Sequence, residues 1–304
     1  MTPAQRGHLA MLTFSALVAG SFSLGAQIAN EIEPAALNAV RFAIATVLIG
    51  LLVWRMGGLT RAAAQAPWRY VVLGGLMAVY FVLMFEGLKT AKPVSAAAVF
   101  TLTPVISGVV GWVLLRQVTT PRMALALAIG GAGALWVIFR ADLHAMMSFD
   151  IGRGEVIYFW GCIAHAVYTP MIRRLNRGEP AIVFTFGMLV AATMLLFLVA
   201  WSDLRAMDWQ ALRPFAWWTI LYLAVFSTGT SFVLTQYAAL RLPAAKVMAY
   251  TYLTPSWVLL WELAQGRGAP PLLVLGGVAL TVVALILLLK DEEPVQVISR
   301  RSPE

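Results

Sequence analysis

The sequence predicts an all-α polytopic membrane protein, with ten transmembrane helices arranged as two inverted five-helix repeats around a central cavity. Three observations carry that expectation. Apolar residues fill 61% of the 304 positions while charged residues fill only 12%. Apolar runs of helical length recur along the chain, and two short motifs recur at a nearly constant offset. A soluble domain carries about 25% charged residues. Here about 185 apolar residues would supply nine or ten membrane helices at roughly 20 residues each. A soluble enzyme, a secreted disulfide scaffold and a disordered chain are excluded on these grounds, and the lone Cys162 says little about redox compartment.

The spans follow in order. The first, at 8–28, has Arg6 ahead of it like a signal peptide, but its apolar core is too long for one. The second, at 34–54, is entered through Pro34, which suits a first helical turn because its missing N–H costs nothing there. Spans at 69–88, 93–115 and 121–139 complete one half, and Pro104 breaks the apolar run of 93–115 near its middle. The second half begins at 154–173 and continues at 180–201 behind Pro180. Spans at 215–239, 243–263 and 271–289 complete it, with Pro255 again near mid-span. Ten spans use about 200 residues, so the loops are short.

Charge gives the direction. With the N-terminus in the cytoplasm, fourteen Lys and Arg fall inside, from Arg6 to Arg301, and seven fall outside. That two-to-one bias places both termini inside, and a bacterial inner membrane is the expected location. The net charge of +8 is then an orientation signal, with no need of a nucleic-acid partner.

Two matches relate the halves. Glu33-Pro34-Ala35 enters span 2 and Glu179-Pro180-Ala181 enters span 7. Ala98-Val99-Phe100-Thr101-Leu102-Thr103-Pro104 aligns with Ala249-Tyr250-Thr251-Tyr252-Leu253-Thr254-Pro255 at four of seven positions, and the offsets, 146 and 151, nearly agree. Two such pairs in corresponding spans argue for duplication. Five is an odd number, so the second copy enters the membrane from the opposite side, an arrangement shared by many secondary transporters. The units expected are 1–140 and 141–290, followed by a cytoplasmic tail at 291–304.

Ten short-looped spans, Pro34 with Ala36-Leu37-Asn38-Ala39-Val40-Arg41-Phe42, and the paired Leu-Thr-Pro spans resemble the drug/metabolite transporter superfamily, EamA type. The aromatic-rich centre resembles that of the YddG-type aromatic amino acid exporters. The resemblance implies two five-helix halves, cytoplasmic termini, and export of amino acids or related metabolites by alternating access. It also places a corner glutamate after each proline span, where this chain has Gln117 and Gly268 instead.

Candidate transport residues come from position. Pro104 and Pro255 each remove a backbone donor and clash with the carbonyl four residues back, at Phe100 and Thr251. Those carbonyls must find partners, since hydrocarbon supplies none. They either meet a ligand in the cavity or are filled by Thr103, Thr254 or neighbouring groups at a simple kink. Tyr250, Thr254, Trp257 and Trp261 share a face by their spacing. Trp261 reads as interfacial belt, and Tyr250 and Thr254 as cavity. In span 6, His165 lies near mid-membrane beside Tyr168, Gly161 and Trp160, and an ionisable group there is a functional candidate by default. A neutral, hydrogen-bonded role for His165 stays open.

Thr228 and Ser231 in span 8 can bind a polar ligand or pack closely, and Tyr80 in span 3 is either cavity wall or packing. Arg41 lies about 10 Å from the outer end of span 2, where snorkelling outwards is its commonest use, with an ion pair or a cavity-facing gate as alternatives. Glu86 and Glu262 lie near outer span ends, as gates or as ordinary interfacial acids.

Other classes fit less well. Three scattered histidines, one cysteine and no paired mid-membrane carboxylates give neither a metal site nor an enzyme motif. A channel would want a continuous polar filter. The partners expected are the lipid bilayer and a small solute, with no nucleic acid, no obligatory protein and no cofactor. A nearly charge-free membrane interior favours a zwitterionic or neutral solute.

Overall fold

The computed structural model describes residues 2–58, 60–61, 63–91, 93–148, 151–264, 266 and 271–290. The expected tail at 291–304, Gly268 and the side chain of Glu262 lie outside the described residues. Every regular element among the described residues is helical.

The first half runs α1 (Pro3–Gly25), α2 (Pro34–Arg55), α3 (Trp68–Leu88), α4 (Pro93–Phe100), α5 (Thr103–Leu115) and α6 (Pro121–Ile138). Helix α1 starts five residues earlier than the apolar run because Thr2 and Gln5 form a reciprocal capping box. Pro34 and Pro121 stand in the first turns of α2 and α6, and Thr120 caps the latter. After a short helix α7 (Leu143–Met147), the second half comprises α8 (Arg153–Leu175), α9 (Ala181–Val199), the short α10 (Trp201–Ala206) and α11 (Pro214–Tyr222). It continues through a π-helical stretch at Leu223–Thr230 into α12 (Ser231–Ala239), then α13 (Ala244–Ala249), a 3₁₀ turn at Tyr250–Leu253, α14 (Thr254–Ala264) and α15 (Val274–Lys290). The short helices α7 and α10 were not expected; neither buries any of its residues.

Among the described residues, seven segments are long and apolar enough to cross a membrane: α1, α2, α3, Ala98–Leu115, α6, α9 and Pro214–Ala239. The other three expected spans differ for physical reasons. Helix α8 is 23 residues long, but Glu155, His165, Arg173 and Arg174 dilute its apolar character. The ninth span is broken into α13 and α14, and α15 has only 17 residues, the short end of the spanning range.

The two Leu-Thr-Pro motifs break their helices at equivalent places. Helix α4 stops at Phe100 and α5 starts at Thr103; α13 stops at Ala249 and α14 starts at Thr254. Each proline therefore sits in the first turn of a new helix, where it needs no donor. In the first copy the Thr103 hydroxyl donates to the Phe100 carbonyl at 2.6 Å, so the freed acceptor is filled locally. In the second copy the buried Thr254 hydroxyl has no partner.

The halves interleave. Helix α3 lies against α8 and α9, α2 against α9, α1 against α12 and α14, and α6 against α15. Small residues permit the closest approaches. A Cβ on Gly133 of α6 would stand 2.7 Å from the Gly277 carbonyl of α15, and one on Gly277 would stand 2.6 Å from that of Gly133. The outer surface exposes large apolar side chains such as Trp112, Met194, Leu198 and Trp218. A soluble monomer does not tolerate such a surface, whereas lipid covers it.

Candidate functional site

A column of rings from both halves fills the centre of the bundle. Tyr80 of α3 stacks on His165 of α8 with ring centroids 4.4 Å apart and planes 23° from parallel. Phe100, the last residue of α4, lies on the other contact of the imidazole at 5.7 Å and 2°. Tyr158 and Tyr168, about two turns before and one turn after His165, extend the column at 6.3 Å from Phe100 and 6.5 Å from His165. Tyr80, Phe100, Tyr158, His165 and Tyr168 are each at most 3% exposed. The Tyr80 and Tyr158 hydroxyls share a hydrogen bond at 3.4 Å, and Gln236 of α12 donates to the Tyr168 hydroxyl at 3.3 Å. His165 Nδ1 is buried with no partner. Grooves of 610 and 500 Å³ lie along the flanks, one beside Tyr70 and Phe186 and one beside Leu102 and Tyr252.

The site expectations divide accordingly. Tyr80, Phe100, His165 and Tyr168 come together. Trp160 does not: it is 61% exposed and points to the outer face, because one residue from Gly161 on a helix is a rotation of about 100°. Arg41 corrects the snorkelling expectation. It is fully buried, its guanidinium lies 4.1 Å from the centre of the Phe81 ring, and Nε and Nη2 both donate to Thr228 Oγ1 at 2.9 and 2.8 Å. The interior is therefore not free of charge. Ser231 and Thr235 donate to the Ser227 and Ser231 carbonyls of their own segment, whereas the Ser227 hydroxyl hydrogen-bonds that of Ser21 on α1.

Tyr250 and Trp257 form a separate row against α1. The Tyr250 hydroxyl shares a 2.9 Å hydrogen bond with His8 Nδ1, and Trp257 Nε1 donates to Ser15 Oγ at 3.0 Å. Trp261 meets Tyr222 edge-on at 6.1 Å. Thr254 is buried one turn into the same segment.

This architecture, duplicated and closed around a shared centre, has relatives. Residues 5–139 and again 152–290 match the EamA-like transporter family. The chain belongs to that family. It is also similar to an uncharacterized transporter YyaM of Bacillus subtilis (strain 168), with 23% identity over 274 residues, 89% of this chain and 90% of that one. A solved crystal structure superposes with a TM-score of 0.73 at 21% identity, covering 93% of this chain and 96% of the other, which speaks for the fold. This is a multi-pass membrane transporter of the drug/metabolite transporter superfamily, built from two family repeats.

The remaining polar positions of the transporter are structural at their contacts. Gln117 stands where the family resemblance places a glutamate, and its Oε1 accepts from the Ala244 N–H in the first turn of α13 at 3.0 Å, so a neutral acceptor still closes that corner. Glu86 pairs with Lys89 at 3.1 Å beside Glu33, on the surface.

Sequence reading did not single out Tyr158, or the cluster of Phe42, Phe81 and Phe232, whose ring centres lie 5.6–5.9 Å apart. The signal was available in two stripes: Tyr158, Gly161, His165 and Tyr168 lie on one face of α8, and Leu37, Asn38, Arg41, Phe42 and Ala45 on one face of α2. Arg41 is buried because it falls inside the second stripe.

Proposed function

We propose that this transporter exports small organic solutes, most suitably amino acids including aromatic ones, across the bacterial inner membrane by alternating access. The observation that carries the reading is the ring column of Tyr80, Phe100, Tyr158, His165 and Tyr168, to which both halves contribute. Offset and stacked rings receive another aromatic ring well. Two buried polar atoms of the column and its neighbour, His165 Nδ1 and Gln236 Oε1, are unpartnered groups that a polar backbone can satisfy.

In this reading the residues 1–140 and 141–290 are the moving halves and both termini face the cytoplasm. The helix breaks before Pro104 and Pro255 are the hinges, because each already interrupts its helix ladder, the first directly after Phe100 of the column. Rocking of one half against the other separates rings that now touch across α3, α4 and α8, opening the centre to one side at a time.

Counterflow tests the proposal. Liposomes holding purified transporter and unlabelled phenylalanine should accumulate external labelled phenylalanine transiently and saturably. A panel of amino acids that all fail to exchange would remove the substrate class and leave the fold untouched. Unsaturable flux would indicate a pore.

A further inference from the structure

Arg41 is held in a way that leaves its recognition chemistry unused. Its Nε and Nη2, the edge of a guanidinium that matches the two oxygens of a carboxylate, converge on a single neutral hydroxyl, Thr228 Oγ1. Its third nitrogen, Nη1, is buried with no hydrogen-bond partner. Among the described residues no carboxylate lies within ion-pair distance of it, although the cations Arg69, Lys89 and Arg213 all have one. Phe42, Phe81 and Phe85 surround the group within 5.8 Å, and its full burial keeps bulk solvent from it. One turn earlier on the same face, Asn38 is fully buried and its Oδ1 acceptor is also unpartnered.

The contact sits on the seam between the repeats. Arg41 belongs to the first copy, and Thr228 lies in the π-helical stretch of the second. Such stretches are rare and gather at functional sites, because the wider turn releases backbone and side-chain groups from the regular ladder. Phe81, which carries the guanidinium on its face, is itself in edge contact with Tyr80 at 4.6 Å, so Arg41 adjoins the ring column.

We propose that Arg41 is the receptor for the carboxylate of the transported solute, with Asn38 Oδ1 available to its ammonium. The inference rests on the transport reading above and narrows its substrates to carboxylates. It also supplies a coupling rule. Closing the halves around an uncompensated guanidinium is unfavourable, and a carboxylate delivered by the solute removes that penalty. Occlusion then favours the loaded carrier, which makes exchange faster than empty return.

The test uses purified full-length transporter in detergent, with thermal unfolding measured against phenylalanine, phenylacetate and phenylalaninamide. The two carboxylates should raise Tm by at least about 2 °C, and the amide should not. Arg41→Met should fold with Tm equal to or above that of the wild type and lose the carboxylate response. Arg41→Lys, which keeps the charge but loses the fork, should need roughly tenfold more ligand. The proposal is overturned if no carboxylate shifts the wild type, if the amide shifts it equally, or if Arg41→Met retains the response. A marked fall in Tm for Arg41→Met would also overturn it, by making the arginine a structural tie. Carboxylate shifts without vesicle exchange would sink the transport reading alone, whereas equal exchange of acid, amide and amine would sink the Arg41 site alone.

Discussion

Arg69 Nη2 stands 2.6 Å from Glu179 Oε1, joining the start of α3 to the Glu-Pro-Ala motif ahead of α9. The other copy of the motif does the same at the opposite end of α3, where Lys89 Nζ stands 2.8 Å from Glu33. Both glutamates of the repeated motif therefore hold one helix, and α3 carries Tyr80. The two ties differ in exposure. Arg69 is buried and also donates to the Leu175 carbonyl at 2.7 Å, while Glu33 and Lys89 lie in solvent reach.

Glu179→Gln should lower Tm, by the equivalent of about 1–2 kcal/mol, the size of a charge-assisted hydrogen bond partly open to water. Lys89→Ala should cost less than about 1 kcal/mol. Burial alone would raise the Glu179 carboxyl, but hydrogen bonds from Arg69 and the Arg177 N–H outweigh it and hold the group below its ordinary value of 4.5. A depressed carboxylate stabilises the fold above its unfolded value, and the contribution is lost as pH falls through the folded one. Thermal unfolding of wild type should therefore weaken below pH 4.5, and Glu179→Gln should flatten that acid limb.

Substituting Gly133 should disturb the α6–α15 contact. Gly133→Val meets the Gly277 carbonyl and the Leu280 side chain at under 3 Å, so the backbones must separate. We expect a loss of about 1–3 kcal/mol, read as a lower yield of monodisperse protein and a lower Tm. The exposed Gly276 has nothing within 4 Å, and Gly276→Ala should be neutral or slightly stabilising.

The proposed alternating access makes the buried Cys162 a reporter, because it is the single cysteine and lies on α8 about one turn from both Tyr158 and His165. Its reaction with a small maleimide should be slow and should change severalfold when substrate is added. A rate indifferent to substrate and equal to that of a surface thiol would contradict opening at this depth.

Pro255→Ala removes the ring that defines the start of α14 after the 3₁₀ turn. The segment should then favour a continuous helix, and the maximal counterflow rate should fall more than apparent affinity does. An unchanged rate would remove Pro255 from the hinge.

Much of this is legible in the sequence. Helix-length apolar runs located the spans, since in lipid a backbone has few options. Pro34 and Pro180 mark helix starts to within a residue or two because the missing N–H fixes where proline is free to sit. The column was half legible: His165 and Tyr168 share an evident face, but Tyr80 and Phe100 join them only through the interleaving of the halves. Arg41 misled because depth along a helix says nothing of its azimuth, and the stripe from Leu37 to Ala45 held that information. Trp160 misled by adjacency, and the Tyr250–Trp257 row by the 3₁₀ turn that places it against α1.

The most direct measurement is phenylalanine counterflow in proteoliposomes, comparing wild type with His165→Ala, Tyr80→Ala and Trp160→Ala at matched expression. A central site predicts saturable exchange in wild type, a loss of roughly tenfold (about 1.4 kcal/mol) in the two column variants, and unchanged exchange in the lipid-facing Trp160→Ala. Undiminished exchange in His165→Ala and Tyr80→Ala would contradict transport through the ring column.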